Sequence, residues 1–199
     1  FLLSTNMTEM MVVFAGISCG LGQPLTAMQL LWINIISDIF PGLALALEPP
    51  EPDVMQQPPR NPEEPILKTS DFKRMAFEAT SMSASALGAY GYGIMRYGIG
   101  SKASTMAFAS LTSAQLLHAL SCRSEKHSIF SEEKLPPNKY LNIALVGSFA
   151  LQALAMTLPW TRTLLGITKI GLLDSLVVGG TALLPFVVNE STKQTGHRC

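Results

Sequence analysis

The sequence predicts an all-α membrane protein in which six transmembrane helices form one bundle. Charged residues make up 14% of the 199 residues and hydrophobic residues 48%, and the mean hydropathy is +0.30. An ordinary soluble protein carries about 25% charged residues. The charges are also unevenly spaced, since six windows contain none: 10–37, 39–47, 79–95, 103–122, 140–161 and 175–189. Because a helix needs about 20 mostly apolar residues to cross the hydrocarbon core, these windows indicate membrane spans.

The helices follow from these windows in chain order. The first window is long enough for parts of two helices, which the stretch from Gly20 to Pro24 separates. The predicted helices are 1–19, 25–47, 71–97, 103–122, 138–158 and 172–189. A soluble bundle would need polar helix faces, yet 140–161 carries no charge. A signal peptide at the start is disfavoured, because that segment has no basic region and contains Asn6 and Glu9.

The charge balance and the cysteines exclude several classes of protein. Lys and Arg number 14 and Asp and Glu number 14, so the chain has no basic surplus for nucleic acid. The three cysteines, Cys19, Cys122 and Cys199, form no CxxC pair, which argues against a disulfide framework or a zinc site. The first residue is Phe1 and not Met, so we expect the chain to be a piece of a longer protein.

The distribution of basic residues predicts the orientation. Six spans place both termini on one side, together with the segments 48–70 and 123–137. Ten of the 14 Lys and Arg residues lie on that side, and four lie on the other. By the positive-inside rule, both termini are predicted to be cytoplasmic. Segment 48–70 holds seven of the 13 prolines and is predicted to be a stiff, extended cytoplasmic loop.

Ionisable groups inside the predicted spans point to a functional site. Each costs about 2.5 to 3.5 kcal/mol to insert, so it indicates function by default. Glu9 lies midway along the first span, and Asn6 shares its helix face. In the second span Asn34, Ser37 and Asp38 form a polar stripe. A proline follows at position 41 and removes a backbone donor, so we expect this helix to be broken near Asp38.

The fourth span adds Gln115, and the combined set suggests a cation site made of oxygen atoms. Ca²⁺ accepts 6 to 8 oxygen ligands in adaptable geometry, whereas Mg²⁺ prefers a strict octahedron. The alternative for Asn6 and Glu9 is a polar pair that holds helices together, and Gln115 is equally well explained as an interhelical hydrogen bond. His118 is predicted to pack near a helix end, and Glu78 and Asp174 are assigned no role.

Three segments carry a resemblance to a known family. They are Asn6-Met7-Thr8-Glu9, the run from Gln29 to Asp38 with Pro41, and the proline-rich run from Glu48 to Pro62. They resemble the C-terminal membrane region of type II P-type cation ATPases, and they look most like calcium pumps. The resemblance covers essentially the whole chain, from the fifth to the tenth transmembrane helix of such a pump.

The resemblance implies a set of metal ligands. Carried over position by position, they are Asn6, Glu9, Asn34, Ser37, Asp38 and Gln115. Ser37 stands where Thr is usual in the reticulum pumps and keeps a hydroxyl oxygen. Gln115 stands where those pumps have Glu, which removes one charge from a two-calcium site. Asn34 stands where a sodium/potassium-type pump would have Asp, so it favours calcium, or calcium with manganese.

The resemblance also implies different roles for three segments of the chain. Residues 1–47 would form the ion-site helices, 48–70 the cytoplasmic loop, and 71–199 four support helices and a tail. The partners would be the lipid bilayer and the N-terminal helices and cytoplasmic domains of the parent ATPase. The phosphorylation motif Asp-Lys-Thr-Gly-Thr and the nucleotide-binding domain do not occur in this sequence. We therefore expect no ATP hydrolysis by this chain alone, with Mg²⁺ and ATP bound elsewhere in the parent.

The resemblance implies that the parent protein exports Ca²⁺ from the cytoplasm at the expense of ATP. One alternative keeps the architecture and changes the ion to Mn²⁺, Na⁺ or H⁺. Another is a non-catalytic membrane fragment or a secondary transporter.

Overall fold

A computed structural model describes residues 1–50, 65, 67–124 and 136–196, and every regular element in these ranges is helical. The elements are α1 (Leu2–Ser18), α2 (Ala27–Ile33), a π-helical segment (Asn34–Ile39), α3 (Phe40–Ala46), α4 (Thr69–Tyr97), α5 (Ser101–Ser121), α6 (Lys139–Thr157), α7 (Pro159–Leu165) and α8 (Leu172–Gly196). The all-helical fold class is therefore confirmed for the described residues.

Three of the described helical stretches are long and apolar enough to cross a membrane. They are the continuous helix Ala27–Ala46, helix α6, and Leu172–Lys193 within α8. Helix α1 is also apolar but has only 17 residues. Helices α4 and α5 have 29 and 21 residues and are not among the candidate spans. They carry many serine and threonine side chains, and α5 is buried along most of its length.

A tight connection places α1 beside α2. Gly20 and Gly22 have φ angles of +68° and +85°, which side chains other than glycine rarely adopt. A Cβ atom on Gly16 would lie 2.1 Å from Cγ of Pro24, so the connection rests directly on α1. Thr26 then caps α2, since its hydroxyl accepts a hydrogen bond from the Gln29 backbone N–H at 3.3 Å.

The helix Ala27–Ala46 changes type at its centre. It is α-helical to Ile33, π-helical over Asn34–Ile39 and α-helical again from Phe40. In the π pattern, residue 41 would donate to the carbonyl of Ile36, five residues earlier, but Pro41 has no N–H. The hydroxyl of Ser148 in α6 donates to that carbonyl instead, at 2.9 Å. The chain thus stays helical through Pro41 with one wider turn.

Helix α8 contains a second proline with a similar arrangement. Pro185 lies inside the helix and cannot donate to the carbonyl of Thr181, four residues earlier. The hydroxyl of Ser85 in α4 donates to that carbonyl. Ser110 in α5 lies 2.9 Å from the Thr181 hydroxyl. Polar contacts between α4, α5 and α8 therefore meet at one turn of α8.

The observed helix ends lie close to the predicted ones, with two differences. The short helix α7 was not predicted. Helix α8 continues beyond residue 189, where Lys193 and Glu190 form a buried ion pair at 2.9 Å within the helix. Lys193 Nζ also donates to the Ser121 backbone carbonyl, which ties this end to α5. Most of the predicted loop 48–70 lies outside the described residues, as do four of the basic residues used for the orientation, Arg60, Lys126, Lys134 and Arg198.

Candidate cation site

The six side chains predicted as ligands lie in one hydrogen-bonded cluster. Asn6 and Glu9 come from α1, Gln115 comes from α5, and the remaining three come from the π-helical segment, namely Asn34, Ser37 and Asp38. Spacings of three and four residues put the polar groups of each helix on one face. Packing of the three elements then brings the faces together. The role of these residues as metal ligands remains a prediction.

Gln115 joins the two carboxylate-bearing elements. Its Nε2 donates to Glu9 Oε1 at 3.2 Å and to the Thr5 backbone carbonyl at 3.3 Å. Its Oε1 accepts a hydrogen bond from the Ser37 hydroxyl at 3.0 Å. All polar atoms of this fully buried amide are therefore engaged, and α5 is fixed against both α1 and the π-helical segment.

Asp38 accepts hydrogen bonds from α1 and from its own π-helical segment. Its Oδ1 accepts from the hydroxyls of Thr5 and Ser37, each at 3.2 Å. Its Oδ2 accepts a weak hydrogen bond from Asn6 Nδ2 at 3.5 Å. The sequence reasoning missed Thr5. Its signal was present, because Thr5 lies four residues before Glu9 and so shares the polar face of α1.

Asn34 completes the contact between the carboxylate of Glu9 and the π-helical segment. With the amide oriented so that Nδ2 faces Glu9, this nitrogen donates to Oε1 at 3.2 Å and to Oε2 at 3.3 Å. The opposite orientation would place the amide oxygen against the carboxylate, so the hydrogen-bond network selects the first. In this arrangement Glu9 accepts hydrogen bonds from the amides of Asn34 and Gln115.

The cluster is closed on one side and open on the other. Glu9, Ser37 and Gln115 are buried, whereas Asp38 is half-buried and Asn6 is exposed. Asn6 and Glu9 also line an open groove of about 530 Å³ along α1. A ligand or a further helix could therefore reach the Glu9 carboxylate from this groove without displacing α5.

The chemistry of these groups suits a hard cation. The described residues contain no group of three or more His, Cys, Asp or Glu side chains suited to a metal. The cluster instead combines two carboxylates with amide and hydroxyl oxygens, which are ligands of Ca²⁺ and Mg²⁺. At present Asn34 and Gln115 turn N–H groups toward Glu9. Rotation of each terminal amide would present oxygen to a cation instead, and such torsions are soft.

Comparison with known proteins identifies the family. The model of the family described as "Cation transporting ATPase, C-terminus" matches residues 22–195, which is most of the chain. The chain belongs to this family of cation-transporting ATPases. Among the curated relatives, Calcium-transporting ATPase 1 of Bacillus cereus is 31% identical over 97% of the chain and 23% of its own length.

Two further relatives of this cation-transporting ATPase segment give the same picture. Calcium-transporting ATPase type 2C member 2 of Mus musculus is 30% identical over 97% of the chain and 20% of its own length. Calcium-transporting ATPase of Bacillus subtilis is 30% identical over 93% of the chain and 21% of its own length. The chain thus spans about a fifth of these relatives. It is a C-terminal membrane portion of a P-type cation ATPase.

This cation-transporting ATPase segment contains a second buried polar cluster, next to the first. The Glu78 carboxylate accepts from the Ser4 hydroxyl at 3.1 Å and from Arg74 Nε at 3.1 Å. His118 Nε2 lies 3.4 Å from Glu78 Oε2 and 3.3 Å from Cys122 Sγ. Glu78 and His118, for which no site role was predicted, therefore connect α1, α4 and α5.

Proposed function

We propose that this chain supplies the ion-binding helices of an ATP-driven pump that exports Ca²⁺ from the cytoplasm. The observation that carries the proposal is the cluster itself. Glu9 and Asp38 come from two different helices and are joined through Gln115 and Ser37. Two carboxylates balance the charge of one divalent cation. The names of the curated relatives, all calcium-transporting ATPases, support Ca²⁺ as the cargo.

The proposal includes the membrane topology. Helix α1, the helix Ala27–Ala46, and α4, α5, α6 and α8 would form six spans, with both termini of the segment in the cytoplasm. The break expected in the second span corresponds in this proposal to the π-helical segment, where the helix changes type without interruption shortly before Pro41. Helices that change type at membrane depth are tolerated where they line a site.

The proposed mechanism uses the placement of the ligands on separate elements. A cation entering from the open side would meet Asn6 first, since this residue is exposed, and would then reach Glu9 and Asp38. Movement of α1 relative to the π-helical segment would separate the two carboxylates and release the ion. ATP, with Mg²⁺, would supply the energy through the remaining part of the parent ATPase. This chain would bind the ion and transmit the movement.

The test uses membrane vesicles that contain the full-length parent pump. We expect ATP-dependent uptake of ⁴⁵Ca²⁺ and a phosphoenzyme that forms from ATP only when Ca²⁺ is present. Glu9→Gln should raise the Ca²⁺ concentration for half-maximal phosphorylation, because it removes one of two ligand charges. Glu78→Gln is the matched control, because it makes the same change in a buried glutamate outside the site.

The same assay separates the alternatives. Phosphorylation that depends on Mn²⁺, Na⁺ or acidic pH but not on Ca²⁺ would show that the pump transports Mn²⁺, Na⁺ or H⁺ instead of Ca²⁺. Absence of a phosphoenzyme under every ionic condition would contradict a pump and favour a secondary transporter or a non-catalytic membrane protein. Equal effects of Glu9→Gln and Glu78→Gln would contradict the assignment of the site.

A further inference from the structure

Pro41 and Pro185 lie inside apolar helices, and each leaves one backbone carbonyl without its usual N–H donor. In both cases the hydroxyl of a serine from another helix donates to that carbonyl instead. The Ser85 hydroxyl donates to the Thr181 carbonyl in α8, and the Ser148 hydroxyl donates to the Ile36 carbonyl in the π-helical segment. A carbonyl without a partner in an apolar environment costs several kcal/mol, on the order of 2 to 7. The two serine hydroxyls therefore satisfy carbonyl groups that would otherwise be left without a hydrogen-bond donor.

The serine on α6 acts next to the candidate cation site. Ser148 is only 1% exposed, on a helix whose remaining surface is mostly apolar and exposed. Its acceptor, Ile36, immediately precedes Ser37 and lies between Asn34 and Asp38. One helical turn away Trp32 Nε1 donates to Gln152 Oε1 at 2.9 Å. Two hydrogen bonds thus join α6 to this helix, one at the π-helical segment that carries three predicted ligands and one at the preceding turn in α2.

We propose that Ser148 is a positioning residue that maintains the π-helical turn and thereby aims the ligands of this segment at α1 and α5. The inference rests on the proposed function of the site. The π turn contains one residue more than an α-helical turn, which changes the direction of the side chains on either side of it by about 100°. If the turn were lost, Asn34 and Asp38 could not both face Glu9 and Asn6 as they do now.

The first experiment measures cation affinity in the full-length parent pump. Ser148→Ala should raise the Ca²⁺ concentration for half-maximal phosphorylation about three- to ten-fold, the range for loss of one buried hydrogen bond. Ser148→Thr retains the hydroxyl and should restore most of the affinity. Ser85→Ala is the control, because it removes the equivalent hydroxyl at the other proline. It should lower the thermal midpoint without changing the Ca²⁺ dependence.

A second experiment separates positioning from general stability, and it works even if Ser148→Ala folds poorly. Pro41→Ala restores an N–H that can donate to the Ile36 carbonyl. Ser148→Ala should therefore lower the thermal midpoint of the full-length pump by less than half as much in the Pro41→Ala background as in the wild type. Equal decreases in the two backgrounds would overturn the proposal.

The affinity data can also overturn it. A well-folded Ser148→Ala variant with unchanged Ca²⁺ dependence would refute a positioning role, as would an equal loss of affinity in Ser85→Ala. These results concern Ser148 only. Failure of the proposed function would appear differently, as the absence of Ca²⁺-dependent phosphorylation in the wild-type pump.

Discussion

Replacement of Asp38 by Asn tests whether charge, and not only shape, holds the cation. The substitution keeps the size of the side chain. Its remaining oxygen can still accept hydrogen bonds from Thr5 and Ser37, which now lie 3.2 Å from Oδ1. The new amide nitrogen would replace Oδ2 and face Asn6 Nδ2, which is now at 3.5 Å, so one weak hydrogen bond is lost. The structural change is therefore small.

The electrostatic change is large. The cluster carries two carboxylates, and Asp38→Asn halves the charge available to a divalent cation. By analogy with breaking a buried ion pair, this should cost about 3 to 5 kcal/mol of binding free energy. The lost hydrogen bond to Asn6 does not add to this cost, because a bound cation would have to replace that bond in the wild type as well. At 1.4 kcal/mol for each factor of ten, we expect the affinity for Ca²⁺ to fall by at least about 100-fold.

The assay is Ca²⁺-dependent phosphoenzyme formation by the full-length pump at a fixed ATP concentration. Asp174→Asn is the matched control. Asp174 is an aspartate outside the site: it is buried at the start of α8, where it accepts hydrogen bonds from Tyr97 and the Gly171 backbone. This control should leave the Ca²⁺ dependence unchanged. If Asp38→Asn kept the wild-type Ca²⁺ dependence, the charge argument and the assignment of Asp38 would both be refuted.

Two further substitutions test packing and charge. Gly16→Ala should lower the thermal midpoint, because the new Cβ would lie 2.1 Å from Pro24 Cγ. Such overpacking costs about 1 to 3 kcal/mol. Gly147→Ala is the control and should not destabilise the protein, because nothing lies within 4 Å of a Cβ at that position. Gln115→Glu should increase the rise in thermal midpoint on adding Ca²⁺, because it adds a carboxylate beside Glu9 that only a cation can balance. An unchanged rise would place Gln115 outside the ligand set.

Much of the fold could be predicted because charge is so costly in lipid that the charge-free windows mark the helices. The fourth predicted helix, 103–122, corresponds to the observed Ser101–Ser121. The last helix was predicted to end at 189 because Glu190 follows, but that charge is paired with Lys193 inside the protein. The two charges are three residues apart in one helix, but a charge count cannot anticipate that the other helices bury this pair. The six-span arrangement and its orientation remain predictions.

The site was predictable where one helix face carried several polar groups. The spacing of Asn34, Ser37 and Asp38 was sufficient to place them together, and Glu9 stood out as an acid in an apolar run. Thr5 was recognisable in principle, because it shares the helix face of Glu9. The role of Ser148 depends on a contact with another helix, so no local pattern distinguishes it from an ordinary hydroxyl side chain. The change to π-helical geometry was likewise not predicted, because Pro41 signals a disturbed helix without specifying its form.

The hydrogen bonds among the predicted ligands have a consequence for ion selectivity. Each predicted ligand already has a partner within the protein, so a bound cation must replace those hydrogen bonds as well as its own hydration shell. A monovalent ion gains about half the Coulomb energy of a divalent ion at the same distance but must break the same bonds. The hydrogen-bond network of the cluster therefore disfavours the binding of weakly attracted ions. Discrimination against Na⁺ can then arise from the protein's own internal contacts, without a cavity shaped to exclude it.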